Sequence, residues 1–179
     1  MNFDSTPSSL QHLKHDFTEH LLEILTPCVY EGLTYIYNEA RNIAQESKYP
    51  NKILLIFQKL LQTIDGWNQP QINEETQRIK KSTNTTEYLD DLIKTVIKSN
   101  TNIYSNVNRE FYDSFTSGEF IHRCYKECAK NVYINPYLFY HDANPIDYEL
   151  NRILIFQNIK EAIPRAIHKY YFSQYVNNV

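Results

Sequence analysis

Glycine is nearly missing from this chain, with three in 179 residues. Sheet proteins turn tightly between strands by placing residues at positive φ, and glycine, Asn-Gly and Asp-Gly supply those positions. Here no such pair is flanked by alternating apolar residues; Asp65-Gly66 follows "ILLIFQKLLQTI", a run too long and too continuous for a hairpin strand. The seven prolines fall instead near the starts of apolar-periodic segments. Proline suits the first helical turn, where its fixed φ is helical and its missing N–H has no partner to lose. This punctuation predicts an all-α protein: a single globular bundle of about seven or eight helices, residues 1–179 forming one domain and residues 1–7 a candidate disordered segment.

The helices follow from the period. Leu10, Leu13, Phe17, Leu21, Ile24 and Leu25 recur on one face after a cap at Ser8 or Ser9. Thr26-Pro27 is expected to open a second helix carrying Val29, Leu33, Ile36, Tyr37, Ala40, Ile43 and Ala44. After Pro50 a third runs to about Ile64 with apolar residues on most of its circumference, which predicts a central, largely buried helix. Asn68-x-Pro70 opens a short polar helix through Lys81. Thr86 is expected to cap "EYLDDLIKTVIKS", with Glu87, Asp90 and Asp91 toward the positive end of its dipole. Thr116-Ser-Gly-Glu119 has capping-box spacing for a helix from about Ser117 to Val132. Asn144-Pro145 starts the last segment, which Pro164 should kink or divide.

With 42% hydrophobic residues the chain can build a core without disulfides or metal. Its net charge of −3 creates no field to attract a phosphate backbone, so nucleic acid is not an expected partner. The apolar run "ILLIF" falls far short of the roughly 20 residues of a membrane span. The first residues lack the basic and apolar regions of a secretory signal, so the chain reads as intracellular, and its three cysteines as free thiols.

The densest candidate chemistry is "FIHRCYKECAKNVYINPYLFYHD", residues 120–142. On a helix Cys124 and Cys128 share a face, whereas His122 lies about 200° from Cys124. Only His141 could join the two thiols, and three ligands of which one is distant make a poor zinc site. Ile121, Cys124, Tyr125, Cys128 and Val132 form one apolar stripe, so the thiols read as a buried core pair. His12, His15 and His20 read as a solvated face, and Glu74-Glu75 and Asp90-Asp91 as exposed faces or dipole partners. There is no phosphate loop, nucleophile elbow or dinucleotide fingerprint. No catalytic residue, cofactor or metal site is assigned, and the protein reads as non-enzymatic.

Two features remain as candidate interaction sites. Trp67, the only tryptophan, is either a plug between helices or an interface anchor. Asn135, Pro136, Tyr137, Leu138 and Phe139 form an aromatic loop that proline forces out of the helix, and it either folds back onto the core or docks on a partner.

"GWNQPQINEETQRI" (66–79), "YLDDLIKTVI" (88–97), "FIHRCYKECAKNVYINPYLF" (120–139) and "NRILIFQNIKEAIPRAIHKYY" (151–171) resemble, in that order, a family of uncharacterised proteins. That family is encoded by nucleocytoplasmic large DNA viruses, the giant viruses and their relatives. The segment ending Asn-Pro-Tyr-Leu-Phe is the most specific part, while Tyr88 and Ile134 depart from the family pattern. The resemblance implies a viral origin and no catalytic residues. The resulting expectation is a structural or assembly protein, a virion component such as a minor capsid protein or an interaction protein of the viral factory in the host cytoplasm, bound to other viral structural proteins. The alternatives are a soluble helical module binding a host protein and, less favoured, a small zinc protein using Cys124, Cys128 and His141.

Overall fold

The computed structural model describes the backbone of residues 7–101 and 116–176, and side chains over 11–100 and 116–169. The fold is all-α. Among the described residues there are six α-helices and no strand: α1 (Pro7–Glu46), α2 (Ile53–Thr63), α3 (Gln69–Ser82), α4 (Leu89–Thr101), α5 (Ser117–Ile134) and α6 (Pro145–Val176). Single 3-10 turns at Pro50–Lys52, Ile64–Gly66 and Pro136–Phe139 link them. Residues 1–6 of the segment expected to be disordered lie outside the described residues, as does the side chain of the expected cap at Ser8 or Ser9.

The count falls short of seven or eight because proline did not divide the two longest helices. Pro27 lies inside α1, a helix of 40 residues, and Pro164 inside α6, a helix of 32. An internal proline removes one N–H and frees the carbonyl four residues back. Those carbonyls belong to Glu23 and Lys160, both exposed, so water can satisfy them. Meanwhile Leu21, Leu25, Val29 and Leu33 continue the buried stripe straight through Pro27, and that burial, about 1.5–3 kcal/mol per side chain, holds the helix together.

Two helix ends close without glycine. Lys48 (φ 59°) follows α1, with Tyr49 N–H donating to Ala44 O and Lys48 N–H to Gln45 O; Asn84 (φ 54°) follows α3, with Thr85 N–H donating to Lys80 O and Asn84 N–H to Lys81 O. Both are Schellman closures in which a side-chain-bearing residue takes the left-handed position. The Asn68 cap formed as expected, its side chain accepting from Gln71 N–H while Gln71 Oε1 accepts from Asn68 N–H. Thr116 accepts from Glu119 N–H. Thr86 is not a cap: α4 begins at Leu89, whose N–H donates to Thr85 O, leaving Glu87 outside the helix.

One contiguous core draws on all six helices and on the 136–139 turn. α1 runs against α2, α3, α4 and α6, while α5 packs against α6, α3, α2 and α4. The expectation of a central α2 is corrected. Ile53, Phe57 and Leu61 are buried, yet Leu55 is half exposed, because α1, α5 and the turn cover only one side.

At the junction of α1, α3 and α5, Glu75 corrects a second expectation. It is not a solvated residue. Its carboxylate takes Arg78 at 2.7 Å and the hydroxyl of fully buried Tyr125, while Arg78 also reaches Glu31 at 2.9 Å and Cys28 O at 2.7 Å. The Glu75 carboxylate beside Arg78 raises the guanidinium pKa further still, and burial raises the Tyr125 phenol. Bidentate pairing of this kind fixes orientation as well as energy. Asp90 likewise pairs with buried Lys80 at 2.7 Å.

Candidate functional site

The 135–139 segment folds back. Asn135 leaves the helix at φ −124° and ψ 57°, Pro136 opens a 3-10 turn, and Leu138 N–H donates to Asn135 O. That turn swings Leu138 and Phe139 inward, each 8% exposed, and leaves Tyr137 outward at 56%. Phe139 sits 5.2 Å from Phe57 and 6.2 Å from Tyr37, ring centre to ring centre. Leu138 and Phe139 therefore belong to the core, and of the five residues Tyr137 alone presents a largely free side chain.

The chain leaving the turn is pinned to α1. Tyr37 hydroxyl accepts the backbone N–H of His141 at 3.2 Å and lies 2.7 Å from its Nδ1. Which of the two donates in that contact follows the tautomer of the His141 ring. Burial raises the Tyr37 phenol above its ordinary value, so its proton is held at neutral pH.

Above this pin, α1, the turn and the first turns of α6 enclose a cavity of about 260 Å³. Tyr30, Tyr37, Asn38 and Arg41 line it from α1, where their spacing places them along one side of the helix. Tyr148, Arg152 and Ile155 line it from α6. Burial, then the hydroxyl of Tyr148, pushes the Tyr30 phenol up to about 12, so it too stays protonated. Arg152 pairs outward with Glu149 at 2.8 Å and lies over the Phe156 ring. Arg41 has no ion pair among the described residues, and its Nε is buried without a hydrogen-bond partner. Among the described residues no carboxylate lines the cavity.

The other sequence candidates separate. Trp67 is partly buried against the core, stacked on His122 at 5.7 Å and tilted against Tyr125 at 5.1 Å, the environment of a plug. His122 is held there by a 2.6 Å bond from Nε2 to Ile64 O, on the side of α5 away from the thiols. Cys124 and Cys128 are fully buried; burial raises both thiols, Cys128 to about 12. Burial of this kind disfavours the thiolate that a nucleophile or a metal ligand requires. His141 is engaged with Tyr37, and among the described residues no three His, Cys, Asp or Glu side chains are grouped to hold a metal. His20 stacks on Tyr88 at the surface.

A family profile matches residues 8–140, from the start of α1 through the turn. The chain belongs to DUF5764, a family of unknown function. Neither a curated protein nor a solved structure matches it. The DUF5764 match includes the α1 and turn sides of the cavity and ends before the α6 side, Tyr148 and Arg152.

Sequence reasoning missed the cavity residues. Tyr30, Tyr37 and Arg41 were readable as one helical face, and Tyr148 and Arg152 as another. Nothing in the spacing said that the two faces meet, since the docking of Phe139 and His141 sets their approach. Among the described residues no helix is long and apolar enough to cross a membrane.

Proposed function

We propose that the protein is a non-enzymatic structural or assembly component of a giant DNA virus, bound to other viral proteins in the virion or in the viral factory. The outward side of α6 carries this reading. Ile146, Leu150, Ile153 and Leu154 fall within about 100° of one another around the helix axis, and they are 47–74% exposed. Tyr148, Arg152 and Ile155 occupy the inward side, so the apolar stripe is separate from the face that lines the cavity. The spacing i, i+4, i+7, i+8 is that of an amphipathic helix docking into a partner. Asp147 and Glu161, both exposed, border the stripe, and suit a partner helix with Lys or Arg at its flank. The resemblance of residues 66–79, 88–97, 120–139 and 151–171 to giant-virus proteins supports the viral setting.

The test is Ile153→Glu in the virus, with the protein measured in purified particles and in factories. The expected result is a folded protein depleted from particles, with wild type cross-linking through position 153 to a viral structural protein. Wild type found in neither particles nor factories, or a cross-link to a host protein instead, would overturn this reading.

A further inference from the structure

Two guanidiniums and no carboxylate stand among the described residues that line the cavity between α1 and α6. Arg41 contributes a guanidinium that has no ion pair among the described residues. Arg152 adds a second guanidinium from the opposite wall, half neutralised because Glu149 takes it from outside. Asn38 and Tyr148 add polar groups to the lining, beside the Tyr37 hydroxyl that is engaged with His141. Glu149, which takes Nε and Nη2 of Arg152, is not among the lining residues.

We propose that this cavity is a binding site for a compact tetrahedral oxyanion of the phosphate class. Guanidinium forks match phosphate oxygens in two-point geometry and, unlike ammonium, tolerate partial burial. The size points the same way. At about 260 Å³ the space falls below the roughly 300–1,000 Å³ of sites for drug-sized ligands, and it has room for a phosphate group. His141 and Asn38 are exposed at the rim, which leaves a route in from solvent. The phosphate could arrive as the free ion or on the end of a small phosphomonoester, and both present the same oxygens.

The test uses the full chain and the arginine Nε–Hε resonances in ¹H–¹⁵N spectra, titrated with inorganic phosphate against chloride at matched ionic strength. The Arg41 Nε–Hε signal is expected to shift saturably, with a Kd of about 1 mM or tighter, and the melting temperature to rise with phosphate. Arg41→Gln should weaken the thermal response at least about tenfold in phosphate concentration. Arg152→Gln, at a half-exposed position where the fold does not depend on the charge, should weaken the NMR titration too. O-phosphoserine in place of phosphate separates the sources: saturation by both assigns the site to the phosphoryl group, and saturation by phosphate alone to the free ion. An Arg41 signal unmoved by phosphate means that a water satisfies Nε, and overturns the proposal. So does equal affinity for acetate, since the site would then read charge without the tetrahedral geometry.

Discussion

Gly32 should be the least replaceable glycine in the chain, and the reason can be measured. It lies in α1 opposite Tyr125, and a Cβ built on it would stand 1.9 Å from the Tyr125 hydroxyl oxygen, 2.8 Å from Cζ and 3.0 Å from Cε1. Taken as an isolated helix position, Gly32→Ala should stabilise by about 0.5–1 kcal/mol. The contact reverses that sign. Tyr125 is fully buried and cannot swing into solvent, so overpacking of about 1–3 kcal/mol applies. Moving the ring also breaks the hydroxyl's bond to the Glu75 carboxylate, a charged hydrogen bond worth about 1.5–3 kcal/mol. The net expectation is a loss of about 2–4 kcal/mol.

A double-mutant cycle isolates the cause. Tyr125→Phe removes the atom at 1.9 Å and leaves Glu75 still held by Arg78 at 2.7 Å. In that background Gly32→Ala still meets Cζ at 2.8 Å and Cε1 at 3.0 Å, so the ring must shift, but no hydrogen bond is lost and the cost should fall by about 1.5 kcal/mol. Urea unfolding of the four proteins gives the coupling. The double variant should be more stable than the sum of the singles by at least about 1.5 kcal/mol. Additivity within about 0.5 kcal/mol, or a stabilising Gly32→Ala in the wild-type background, would refute the assignment of Gly32 to Tyr125.

Phe139→Ala should cost about 3–5 kcal/mol, as for a buried aromatic side chain, while Tyr137→Ala, two residues away and exposed, should change stability in urea by less than about 0.5 kcal/mol. Equal effects would mean that the turn is not docked as described. Cys124 and Cys128 should resist alkylation in the native protein at pH 8 and react at once in denaturant, as read by mass spectrometry. The same burial sets a pH dependence: the folded state holds the Cys128 proton to about 12 against an ordinary value of 9.0, so native protein binds more protons above that value. Its contribution is complete below pH 9.0 and declines as pH rises toward 12, and Cys128→Ala should flatten the alkaline limb of a stability profile.

Helix type and most helix positions were legible in the sequence because periodicity and capping are local. Asn68 and Thr116 did what their spacing implied, and Cys124 and Cys128 took the buried side that the 100° rule assigned to them. Pro27 misled because breaking a helix there is a contest between one lost hydrogen bond at an exposed carbonyl and an apolar stripe that continues on both sides. The local signal contains only the first. The Schellman closures at Lys48 and Asn84 were missed for a related reason: glycine was the expected marker of a helix stop, and here the turn is imposed by what packs after it. Glu75 looked solvated because only Arg78 is near it in the chain. The Tyr125 hydroxyl that completes its coordination comes from 50 residues away, and Glu31 and Cys28, which steady Arg78, belong to α1.

The cavity shows where legibility ends in physical terms. Each wall is written as a helical face, Tyr30-Tyr37-Arg41 on α1 and Tyr148-Arg152 on α6, and neither face is unusual alone. Their apposition depends on Phe139 entering the cluster with Phe57 and Tyr37, and on the Tyr37 hydroxyl gripping His141. Those contacts join residues far apart in the chain and follow from shape, which composition and period do not encode. The aromatic segment singled out as a possible docking loop thus works inward, setting the distance between two arginine-bearing helices. The exposed apolar face lies instead on α6, where Ile146, Leu150, Ile153 and Leu154 remain in water. A lesion at Phe139 should therefore loosen both the fold and the anion response together, whereas a lesion at Ile153 should leave both intact and affect only assembly.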